Sequence, residues 1–63
     1  MTFEDRINAE RARYMRAPLW ELRNVRLALS MHSWGNTIDE KARLVAVEGL
    51  VHDRLARRMK ETV

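Results

Sequence analysis

Apolar residues return along this chain at helical spacing, in two blocks. In the first, Phe3, Ile7, Tyr14, Pro18, Leu22, Val25, Leu29 and His32 share one stripe when a single helical phase is carried through, and Arg11 interrupts it. In the second, Ile38, Val45, His52 and Met59 recur every seven residues, and Ala42, Gly49 and Ala56 recur at the same interval beside them. Ala, Leu, Arg, Glu and Met dominate both blocks, and alternating β-branched runs are scarce, so the chain reads as all-α.

Local signals set the boundaries. Thr2 followed by Asp5, and Thr37 followed by Glu40, have the spacing of capping boxes, and both first turns are acidic, as the helix dipole favours. Between the blocks, Gly35 can adopt the left-handed conformation that ends a helix. One helical region is expected over about residues 3–32, a turn over 33–36 and a second helix over 38–60, all in a single domain. Pro18 either kinks the first region or breaks it, since proline is costly inside a helix and welcome in a first turn. The common stripe favours a kinked long helix. The short turn then folds the two regions into an antiparallel hairpin. Ala42, Val45, Gly49, His52 and Ala56 form its expected packing seam, the small residues admitting a close neighbour.

One stripe on each arm zips a hairpin, and this chain carries more. Trp20, Leu27 and Trp34 are spaced by seven on another face of the first region, and Met31 fills the gap. Val47 and Leu50 lie outside the expected seam. A lone hairpin leaves this surface wet, and large exposed apolar patches mark interaction sites. A chain of about 60 residues also buries only ~60% of its unfolded surface, so association is the expected route to stability. Two hairpins pairing into a helical bundle, or a partner protein docking on the tryptophan face, would cover it. Arg16 and Arg23 rim that face.

Charge adds a second reading. Among 63 residues, Lys and Arg total 12 against 9 Asp and Glu, a net +3. Ten of the twelve cations are arginine, whose fork holds carboxylates and phosphates bidentately. Arg6, Arg13, Arg16 and Arg23 could contact phosphates while tryptophan stacks on a base. Glu10 has Arg6 and Arg13 within helical pairing distance, whereas Glu21 has no cation three or four residues ahead, leaving Arg16 and Arg23 the less neutralised pair.

Catalysis and cofactors find no support. The chain has no cysteine, which excludes disulfides and zinc fingers. His32 and His52 fall far apart in a hairpin, so no metal site is expected. His32 has Ser30 and Ser33 nearby, but nothing orients its ring as a base. No apolar run approaches the ~18–20 residues of a membrane span, and the acidic start Met1–Asp5 lacks the pattern of a signal peptide. The expectation is a soluble cytoplasmic non-enzyme without cofactor or membrane.

The stretches Ala17-Pro18-Leu19-Trp20-Glu21-Leu22-Arg23-Asn24-Val25, Ala28-Leu29-Ser30 and Thr37 to Leu44 resemble small helical proteins of actinobacterial phages. The resemblance covers about a third of the chain and implies no activity. It implies a phage accessory or virion-associated protein, or one that binds a host factor, placed in the host cytoplasm or the particle.

Overall fold

The structure, a computed structural model, describes residues 1–31 and 33–61, with all their side chains except those of Ser33, Lys60 and Glu61. His32, expected at the end of the first helical region, lies outside the described residues. The described chain is all-helical: α1 spans Phe3–Tyr14, α2 spans Leu19–Ser30, a 3-10 turn covers Ser33–Gly35, and α3 spans Ile38–Glu61.

Both expected capping boxes form. The Thr2 hydroxyl accepts from the Asp5 backbone N–H at 3.1 Å, and the Asp5 carboxylate accepts from the Thr2 N–H at 3.1 Å. At the head of α3, Thr37 Oγ1 accepts from the Glu40 N–H at 3.2 Å, and Glu40 Oε1 accepts from the Thr37 N–H at 3.1 Å. Gly35 departs from expectation: no described glycine has positive φ. The Asn36 side-chain amide instead donates to the Leu29 carbonyl at 2.7 Å and ties the turn to the end of α2.

The long kinked first helix is corrected to two helices. Proline disfavours helical geometry in the residue before it, and its ring would clash with the carbonyl of Tyr14 four residues back, so α1 stops there. Pro18 becomes the N-cap of α2, with φ −66° and ψ 157°, and its carbonyl accepts from the N–H groups of Glu21 and Leu22. Arg54 of α3 clasps this break. Its guanidinium donates to the Met15 carbonyl at 2.7 Å and also to the Ala17 carbonyl.

The break also changes the topology. Arg6 pairs with Asp39 and Glu10 with Arg43, so a four-residue step along α1 matches a four-residue step along α3 in the same direction. α1 is therefore parallel to α3. α2 runs back, from Leu19 beside Arg54 and Arg58 to Leu29 beside Asn36. The two-arm antiparallel hairpin is replaced by an up-down-up arrangement in which α1 and α2 both pack on α3. At ~1.5 Å per residue α3 is about 36 Å long, close to the 39 Å long axis of the molecule.

The core is small: Leu22 and Leu29 from α2, and Ala42, Ala46, Val47, Leu50 and Val51 from α3, with Tyr14, Ala17, Leu19 and Val25 packed at its edge. This corrects the expected seam. Val47 and Leu50, expected outside it, are buried, while Val45, His52 and Ala56 are exposed and only Ala42 of the seam is fully buried. Two helices lie on α3 instead of one, so its inner face is wide and rotated away from the seven-residue line.

Candidate functional site

α2 divides its apolar residues between two sides. Leu22 and Leu29, seven apart, point into the core. Trp20 and Leu27, also seven apart, point away from it and are 66% and 62% exposed, and Met31, one turn beyond Leu27, is 67% exposed. Trp20, Leu27 and Met31 thus share one solvent-facing line, as the sequence spacing requires. Trp34 is exposed too, but it stands on the separate 3-10 turn.

Beside this line runs an open depression between α2 and the C-terminal half of α3. Its volume is about 540 Å³, and Leu27, Val51 and Leu55 line it together with Arg23, Asn24 and Arg26. Arg26 and Leu55 were not anticipated. Arg26 stands one turn after Arg23, a signal present in the sequence. Leu55 joins only because α2 runs antiparallel against that half of α3.

The arginines sort into two groups. Arg6 pairs with Asp39, Arg11 with Asp53 at 2.9 Å, and Arg43 with Glu10 through a two-pronged contact at 3.2 and 3.4 Å. The hydrogen bond to Glu10 holds the Arg43 guanidinium above its ordinary pKa, against a smaller opposing effect of burial. Glu10 therefore reaches across to α3, not along its own helix to Arg6 or Arg13. Arg54 is spent on carbonyls, and Arg13 lies over the Tyr14 ring, 5.6 Å from its centre. Arg16, Arg23, Arg26 and Arg57 form no ion pair among the described residues. Of the four expected phosphate contacts, Arg6 is neutralised, Arg13 rests on Tyr14, and Arg16 and Arg23 stay open on exposed positions.

α3 carries a second apolar face. Ile38, Val45 and Met59 are exposed on the side away from α1 and α2, with the exposed His52 and Ala56 between them. Gly49 is half-buried, yet a Cβ built there would meet nothing within 4 Å, so no neighbour within the chain requires its smallness.

Among the described residues, no three of His, Asp and Glu converge to hold a metal, and no helix is long and apolar enough to cross a membrane. Compared with protein-family models, curated proteins and solved structures, the chain matches none.

Proposed function

We propose that this chain is a small non-enzymatic interaction module that self-associates and holds a partner protein on the outer side of α2. The observation that carries this reading is the solvent-facing line of Trp20, Leu27 and Met31, set opposite the core residues Leu22 and Leu29. Trp20 is the apolar anchor, since tryptophan and arginine dominate binding hot spots. Arg23 and Arg26 line the adjoining depression without a carboxylate of their own, and Arg16 is the third unpaired cation on this stretch of the chain. The matching partner is an acidic amphipathic segment that lays apolar residues on Trp20 and Leu27 and carboxylates on the arginine rim. The resemblance to phage proteins suggests an accessory or virion-associated role, in the host cytoplasm or the particle.

The same unpaired arginines favour a second reading, binding to the phosphates of nucleic acid. One titration separates the two. Tryptophan fluorescence is followed while the protein receives either an acidic, leucine-striped helical peptide or a random-sequence duplex, at low and near-physiological salt. The protein-binding reading expects saturable binding of the peptide, weakened about tenfold or more by Trp20→Ala. Binding of the duplex alone, with affinity falling steeply as salt rises, would reverse the ranking. Binding of neither would leave a purely structural bundle component.

A further inference from the structure

The two exposed apolar faces differ in charge, and that difference assigns them. On the α2 face, Arg23 and Arg26 line the depression beside Leu27, and no carboxylate lines it with them. Two copies joined through this face would bring unneutralised arginines together, a like-charge contact that disfavours self-pairing. The outer face of α3 is mixed. Beside Ile38, Val45 and Met59 it bears Lys41, Glu48 and His52.

We infer that the outer face of α3 is the seam of an antiparallel homodimer whose two-fold axis crosses between Glu48 and Gly49. The inference rests on the self-association part of the proposed function and names its surface. A two-fold axis there sets Ile38 against the partner's Met59 and Val45 against the partner's His52, because each pair is equidistant from that midpoint. Glu48 falls within one turn of the partner's His52. A parallel pairing would instead stack Glu48 on the partner's Glu48 and Lys41 on the partner's Lys41.

A further observation fits a second copy. Gly49 stands next to the axis with open space over its Cα and a φ that needs no glycine. A glycine inside a helix is less favourable than alanine, and close approach of a second backbone at this point gives it a role that no neighbour within the chain supplies.

The chain has no cysteine, so introduced thiols report cleanly. Val45→Cys and His52→Cys are made in the full chain, oxidised separately and as an equal mixture, and read by mass. The antiparallel seam expects a disulfide-linked heterodimer from the mixture and little linkage from either variant alone. Sedimentation equilibrium supplies the second arm. Val45 is exposed in the monomer, so Val45→Lys should fold with unchanged helicity yet dissociate about 100-fold more readily, since it sets a cation in the seam with no carboxylate directly opposite it. Trp20→Ala should dimerise as the unmodified chain does. Linkage of Val45→Cys to itself would overturn the antiparallel seam. Dissociation caused by Trp20→Ala but not by Val45→Lys would move the seam to α2 and leave self-association standing. An unmodified chain that stays monomeric at every concentration would end self-association and the seam together.

Discussion

Single side chains fix the pairing of α1 with α3. The Glu10–Arg43 contact is the least exposed ion pair among the described residues, with side chains 15% and 27% exposed, and it is two-pronged. Glu10→Gln should therefore lower stability by about 1.5–2 kcal/mol in urea unfolding, the lower part of the range for hydrogen bonds to charged groups. The pH dependence has a definite sign. A pKa raised in the folded state gives stability that is complete below the ordinary arginine value and lost only as pH climbs through the raised one. Measured at about pH 7 and about pH 9, the cost of Glu10→Gln should be the same. A cost that vanished by the higher pH would contradict the assignment. The capping boxes were legible in the sequence because both partners lie within one turn. The destination of Glu10 was not. Pairing along an exposed helix is worth only about 0.3–0.5 kcal/mol, so a better sheltered, bidentate site on another helix prevails.

At the scale of elements, the break at Pro18 decides the architecture and Arg54 holds it. Arg54→Met keeps the aliphatic stem and loses both bonds to the carbonyls of Met15 and Ala17. It should cost about 1–3 kcal/mol, because hydrogen bonds to charged groups are the stronger kind. A change under about 0.5 kcal/mol in urea unfolding would show that the break holds without the clasp. The stripe read across Pro18 marks an inward face on both sides of the break, with Tyr14, Leu22 and Leu29 in or beside the core. The axis was misread because α1 and α2 turn that stripe toward the same third helix. Periodicity reports a face and is blind to a reversal of direction. On α3 the seven-residue line is real, but it lies on the outer side, since two packed helices require the wider set Ala42, Ala46, Val47, Leu50 and Val51. Gly49→Ala separates the two uses of α3. The added methyl meets nothing in the chain, so the monomer should gain about 0.5–1 kcal/mol of stability. The dimer should weaken, because the backbones are held apart.

For the whole molecule, size governs. The core is small, and its largest fully buried side chains are Leu22, Val47 and Val51. Leu22→Ala should cost about 2–5 kcal/mol, which approaches the whole stability available to a chain this short and should leave it largely unfolded by circular dichroism. Much apolar surface is left outside this core: both tryptophans, the outer line of α2 and the outer line of α3. That surplus was legible from the excess of heptad-spaced apolar positions over what one seam can bury. Its division into an arginine-rimmed face and a charge-balanced face was not, because the division depends on which arginines find carboxylates on neighbouring helices. If the surplus is covered by association, stability must depend on concentration. The most direct test is the thermal unfolding midpoint of the unmodified chain, followed by circular dichroism over about a hundredfold range of protein concentration. A midpoint that climbs by several degrees across that range is the predicted result. A midpoint independent of concentration would contradict self-association as the way this chain covers its exposed faces.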